Sequence, residues 1–191
     1  QRVNCQGNSL KCITNHPFKM IIYKDVFCPT DELISDTYKM MVDKDILFKV
    51  QGKMKTESTA IDDSVFGGNA SAEGGDGDEG ADPTSVSGID VVMEYRLNEY
   101  EIKKADYKNY IKDYMKKLQA YIKENSPEEE SAFLKGASAF VKEVLANFKD
   151  YTFYCGESMN ADGMLVLCKW EEDDTIPCFY FFKHGLIPEK V

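Results

Sequence analysis

Two stretches of helical periodicity meet at a joint two residues long, and no other feature narrows the fold of this chain as much. From Lys103 to Glu124, apolar side chains recur at Tyr107, Tyr110, Ile111, Tyr114, Leu118, Tyr121 and Ile122, forming one face of a 3.6-residue repeat. As a helix this stretch extends about 33 Å. After Asn125, a second start follows at once. Ser126 reads as an N-cap, Pro127 suits the first helical position, and Glu129 completes a Ser-x-x-Glu capping box. Phe133, Leu134, Ala137, Phe140, Val141, Val144, Leu145 and Phe148 then carry a second apolar stripe. So short a link folds the helices back as an antiparallel hairpin over 103–148. The two stripes are core rather than a cofactor site.

Around this hairpin lie short β-like runs: Met20–Tyr23, Ile46–Val50, Ile89–Leu97, Tyr151–Cys155, Met164–Trp170 and Ile176–Phe182. Their aromatic residues suit a pleated, half-buried surface. Pro177 lacks an N–H to donate, so it is expected at a strand start or on an edge. The predicted class is α+β, a β core with an inserted helical hairpin.

Charge is unevenly spread. The chain has 191 residues and a formal charge of −10. Ten acidic residues and no Lys or Arg fall between Thr56 and Tyr95, so the remainder is nearly balanced. Within this stretch, 66–80 has one large apolar side chain, Phe66. Such a segment buries too little surface to offset about 1–2 kcal/mol per residue of backbone ordering, so 58–88 is expected to be a long, disordered acidic loop. The net charge speaks against general affinity for nucleic acid or anionic membrane. No run approaches the ~20 apolar residues of a membrane span.

The six cysteines form no CxxC pair, and His16 and His184 are the only histidines. A structural zinc site is therefore not expected, and the thiols read as reduced and buried. Residues 1–19 are polar and lack the apolar core of a signal peptide. Met20 reads as the true start, 1–19 as a leader or non-native extension, and 20–191 as one cytosolic domain.

No phosphate loop, dinucleotide fingerprint or HExxH motif is present, and His184 in Phe182-Lys-His-Gly reads as a surface or satisfied turn residue. An enzyme is not expected. Asp76, Asp78 and Glu79 supply hard oxygen ligands, but their spacing departs from an EF-hand loop, so weak, salt-sensitive attraction of calcium is expected and no cofactor is required. Asp62-Asp63-Ser64 suits kinases that recognise acidic residues. Lys104, Lys108, Lys112 and Lys116 form a row at four-residue intervals, and Arg96 to Lys123 holds eight basic residues against four acidic. Such a ridge steers partners with acidic surfaces.

Several segments together resemble the translationally controlled tumour protein family. They are Ile61-Asp-Asp-Ser-Val-Phe-Gly-Gly-Asn-Ala-Ser-Ala-Glu73 and Ala146-Asn-Phe-Lys-Asp-Tyr-Thr-Phe-Tyr-Cys-Gly-Glu157, with Met20-Ile-Ile-Tyr-Lys-Asp25, Tyr110-Ile-Lys-Asp-Tyr-Met115 and Phe181-Phe-Lys-His-Gly-Leu186. The likeness runs from Met20 to Val191. It implies a tent-like β core, shared with a Rab-interacting protein that binds zinc through paired cysteines; those pairs are missing here, so zinc is not carried over.

The resemblance also implies a multi-partner protein of growth and survival control that binds calcium weakly. Tubulin and microtubules would meet the lysine row, and a polo-like kinase would act at Ser64 and Ser85. Glu32 in Pro29-Thr-Asp-Glu-Leu33 would contact the small GTPase Rheb, although one additional residue stands near Cys28-Pro29-Thr30. Alternative readings are a nucleotide-exchange factor or regulator of Rheb, and an anti-apoptotic or chaperone-like module engaging Bcl-family proteins. Histamine-releasing activity outside cells would need non-classical export.

Overall fold

The computed structural model describes residues 20–58, 85–171 and 175–191. In chain order, β1 (Ile21–Asp25), β2 (Glu32–Ser35), β3 (Met40–Asp43), β4 (Leu47–Gln51), β5 (Met54–Ser58) and β6 (Ser85–Ile89) precede a short helix, α1 (Asp90–Glu94), and β7 (Asn98–Glu99). The long helices α2 (Lys104–Asn125) and α3 (Glu130–Ala146) follow. Then come β8 (Tyr151–Cys155), β9 (Val166–Glu171), β10 (Ile176–Phe182) and β11 (Leu186–Lys190). The strands form a six-stranded sheet in the order β3-β4-β10-β9-β8-β7, a three-stranded sheet β11-β1-β2, and the ribbon β5-β6. The class is α+β, as the sequence implies.

β10 is the hub of the large sheet. Phe179 sits opposite Val50 on β4 and Cys168 on β9. Residues 177–182 are all buried, which explains why the run is apolar throughout rather than alternating. On one face, Phe182 meets Tyr114 of α2 and Phe140 of α3, and Tyr180 also meets Phe140. On the other, Phe179 packs on Tyr154. Pro177 stands near the start of this central strand. Pairing with β4 begins one residue later, and Pro177 offers β4's side only its carbonyl, which accepts from Gly52 N–H at 2.8 Å.

The hairpin docks through the predicted stripes except at Leu134. That residue was expected in the core but is exposed, because it faces away from the sheet side of α3 that Phe133, Ala137, Phe140 and Val144 bury. Tyr107, Ile111, Tyr114, Leu118 and Ile122 are buried on α2, and Phe133, Ala137, Phe140 and Val144 on α3. The capping box does not form. Pro127–Glu129 make a 3-10 turn in which Ser126 makes no side-chain cap bond, and the Glu129 carboxylate turns to His184 and Lys183 instead. A buried ring nitrogen and a lysine ammonium thus take the place of the backbone amide at that carboxylate.

Two other expectations change. Ile89–Leu97 is the last residue of β6, then α1 and a turn that leads into β7, not one strand run. Val91 and Val92 favour a strand, but one helical turn puts Val91 and Tyr95 on the same side, both buried. Asp90 Oδ1 also accepts the Val91 and Lys53 amides at 2.8 Å each, so tertiary burial overrides propensity. The stretch expected as a loop yields its ends to the β5-β6 ribbon, where Ser58 sits opposite Ser85. Residues 1–19 and 59–84, to which the leader and acidic-loop expectations apply, lie outside the described residues.

Candidate functional site

With its apolar stripe pinned to the core, α2 presents its opposite residues to water. Lys104, Lys108, Lys112 and Lys116 are all exposed. Lys116 stands 3.4 Å from Asp113. Among the described residues, no carboxylate pairs with Lys104, Lys108 or Lys112, whereas Lys117 pairs with Asp162 and Lys123 with Glu130. Lysines four apart on a helix lie about 6 Å apart along its axis. Lys104, Lys108 and Lys112 are thus a line of positive charge on a rigid support, uncompensated among the described residues.

Glu32 opens β2, with its side chain 48% exposed and Lys24 Nζ 3.8 Å away. It lines a surface cleft of about 380 Å³ together with Thr30, Glu94, Tyr95, Arg96 and Glu157. Arg96 Nη1 donates to Glu157 Oε1 at 2.8 Å, and Tyr38 Oη donates to Glu94 Oε2 at 2.7 Å. Three carboxylates against Arg96, with Lys24 beside Glu32, leave the cleft negative, suited to a basic side chain. Arg96 holds a left-handed backbone at φ 48°, unusual for a non-glycine residue. Sequence reasoning found Glu32 but not Glu94, Tyr95, Arg96 and Glu157, which arrive from separate segments. No local signal announces them.

Two buried carboxylates hold the β1–β2 connection that leads into Glu32. Asp25 is 1% exposed and Asp31 4%. Asp25 accepts the amide of Phe27 at 2.8 Å and the amide of Met164. Asp31 accepts Ser158 N–H at 3.0 Å and its hydroxyl at 2.6 Å. Burial pushes the Asp25 carboxyl above the usual carboxylate range, opposed by backbone amides at Met164, Phe27 and Cys28. Pro29 and Thr30 form an exposed turn that leaves these anchors in place.

Among the described residues, the thiols of Cys28, Cys155, Cys168 and Cys178 are buried. Burial pushes Cys168 up to about 12, and raises Cys28 and Cys155 as well, which disfavours thiolate chemistry at these three. His184 is in a 3-10 turn, as its setting implies, but its side chain is only 8% exposed. Its Nε2 meets Glu129 Oε2 at 2.5 Å, its ring packs edge-on to Phe133, and its Nδ1 is buried without a partner among the described residues.

Ser85 is exposed but belongs to the paired strand β6, not to a loop. Ser64 and the proposed calcium ligands Asp76, Asp78 and Glu79 lie outside the described residues. Among the described residues, no three His, Cys, Asp or Glu side chains are grouped to hold a metal ion, and no helix is long and apolar enough to cross a membrane.

A family model described as translationally controlled tumour protein matches residues 20–187. The translationally-controlled tumor protein homolog of Lumbricus rubellus is 49% identical over 172 residues, covering 90% of this chain and 100% of that protein. The human translationally-controlled tumor protein is 47% identical over 174 residues, covering 90% and 99% respectively. Among solved structures, the Schizosaccharomyces pombe translationally controlled tumor-associated protein superposes with a TM-score of 0.73 at 41% identity, covering 90% of this chain and 99% of that one. The Caenorhabditis elegans translationally-controlled tumor protein gives 0.65 at 31% identity, covering 90% and 98%.

Proposed function

The chain belongs to the translationally controlled tumour protein family, and on that footing we propose that it is a cytosolic, multi-partner binding protein whose lysine row receives acidic partners such as tubulin. It works by contact, not by bond-making side chains. The supporting observation is that Lys104, Lys108 and Lys112 stand exposed along one rigid helix with no carboxylate partner among the described residues. An isolated lysine is ordinarily a solvated charge; an uncompensated line of them steers an anionic surface. Co-sedimentation with microtubules tests this. Lys108→Glu with Lys112→Glu is expected to weaken binding several-fold, leave the melting temperature unchanged and flatten the salt dependence. Unchanged binding overturns the reading.

Weak calcium attraction by Asp76, Asp78 and Glu79, and phosphorylation at Ser64 and Ser85, belong to the same proposal. A phosphate adds about −1.5 to −2 charges to a stretch already negative, releasing it from anionic partners. Growth and survival control, contact with Bcl-family proteins and histamine release outside cells would be consequences of such contacts.

A second reading is favoured by the cleft at Glu32. Its negative lining suits a basic side chain on a GTPase such as Rheb, and an exchange factor needs no nucleophile of its own. Stopped-flow release of labelled nucleotide from Rheb, with the native chain and with Glu32→Ala, decides it. Acceleration that disappears in the variant supports regulation at this cleft; no acceleration rejects the exchange activity.

A further inference from the structure

An apolar groove of about 360 Å³ runs between α2 and α3. Its walls include Ile111 and Met115 from one helix and Leu134, Val141 and Leu145 from the other, while Lys108 and Lys112 border it on the α2 side. Leu134 is 43% exposed, unusual for a leucine amid other apolar side chains. On α3, Leu134, Ser138, Val141 and Leu145 follow one another at intervals of four, three and four, the spacing of a helix–helix seam.

We propose that this groove docks an amphipathic helix of a partner protein, one with apolar residues at three- and four-residue intervals and carboxylates beside them. The inference rests on the reading of the lysine row as a partner surface and specifies the form of the partner. Antiparallel helices leave a furrow that a third helix fills with a single apolar ridge. Carboxylates four residues apart on that helix repeat at about 6 Å, the interval of the lysines facing them. Lys108 and Lys112 have no carboxylate partner among the described residues, so both are available to a partner that brings the complementary charge.

Other occupants fit less well. An extended acidic tail satisfies the lysines but leaves the apolar walls wet. A second copy joined by twofold symmetry brings the lysine row toward itself. An anionic membrane would have to attract a chain of net charge −10.

The test uses the full chain and a synthetic peptide of about 21 residues, three heptads long, with Leu at the seam positions and Glu flanking them. Controls are a scrambled peptide of the same composition, polyglutamate, and phosphatidylserine-containing vesicles. Methyl NMR reports the site and fluorescence anisotropy the affinity. The peptide is expected to shift the methyls of Met115, Leu134, Val141 and Leu145, and to bind about ten-fold more tightly than its scramble. Leu134→Gln, at an exposed position, is expected to weaken the peptide by about ten-fold while leaving polyglutamate unaffected. Lys108→Glu with Lys112→Glu is expected to weaken both.

Peptide and polyglutamate binding equally, with Leu134→Gln silent, overturns the groove and leaves the lysine-row reading standing. A charge reversal that alters neither ligand overturns both. Methyl shifts produced by vesicles alone, or by self-association alone, overturn the inference in favour of a membrane or a second copy.

Discussion

The Asp31 carboxylate lies against Gly156 on the side where any other residue would carry its Cβ. From there it holds the amide and hydroxyl of Ser158, tying the β1–β2 connection to the segment after β8. Glu32 is the next residue, so the position of the cleft glutamate depends on this contact.

Gly156→Ala is therefore expected to be costly. A built Cβ meets the carboxylate and also comes within 2.8 Å of Asp31 Cβ, so rotating the carboxyl alone gives no relief. Overpacking with loss of a buried hydrogen bond is expected to cost about 2–3 kcal/mol. Urea denaturation should show a lower midpoint at unchanged slope. A loss under about 0.5 kcal/mol would mean that the connection yields without strain.

Asp25 gives the molecule a pH dependence of definite sign. In the unfolded chain its carboxyl titrates near about 3.9. Burial raises that value in the fold, and the charge of Asp31 adds in the same direction. The folded state then holds the proton more tightly. Its contribution to stability is fullest below about pH 4 and declines as pH climbs through the higher folded value. Asp25→Asn removes this titration. Urea melts between pH 4 and 7 are expected to show the native chain losing stability relative to Asp25→Asn as pH rises. A gap that moves the other way would show that the amide donors outweigh burial.

The hairpin was legible because its signal is local: a 3.6-residue apolar repeat remains visible without knowing what the face packs on. The aromatic runs that became β8 and β10 were legible for a similar reason, since strands buried on both faces carry little polar sequence. β2, β3, β5, β6 and β11 were not. They are short and of mixed polarity, and distant pairing makes them strands, as where Ile21 meets Lys190. The candidate site divides in the same way. The lysine row is a helical periodicity and could be read directly. The cleft around Glu32 is assembled from the β1–β2 connection, the end of α1 and the segment after β8, so Arg96 and Glu157 gave no sign of their role.

Two neighbouring tyrosines on α2 are expected to respond oppositely to loss of their hydroxyls. Tyr107 is fully buried, and its hydroxyl has no hydrogen-bond partner among the described residues. Tyr107→Phe removes a desolvated polar group and is expected to be neutral or to stabilise by up to about 1 kcal/mol. Tyr110 donates its hydroxyl to Gly163 O at 2.5 Å and accepts Leu165 N–H at 2.9 Å. Tyr110→Phe leaves both backbone groups unpaired and is expected to cost about 1–3 kcal/mol. Calorimetric melts of the two variants check the contrast; equal losses would point to a shared packing role for the rings.

Ser126 and Glu129 provide the sharpest separation between what their spacing suggests and what the fold does. In a capping box both side chains hold backbone amides, so replacing either costs about 1 kcal/mol. Here Ser126 makes no side-chain cap bond, while Glu129 serves the buried Nε2 of His184, with Lys183 Nζ 3.5 Å away. The carboxylate is partly exposed, which screens its charge, but the imidazole it serves is not. Ser126→Ala is therefore expected to change stability by less than about 0.5 kcal/mol. Glu129→Ala is expected to cost about 1–2 kcal/mol, because it strands a buried ring nitrogen. A double-mutant cycle with His184→Phe locates the loss: coupling between 129 and 184 fits the hydrogen-bond geometry, whereas equal losses at 126 and 129 without that coupling would restore the capping box.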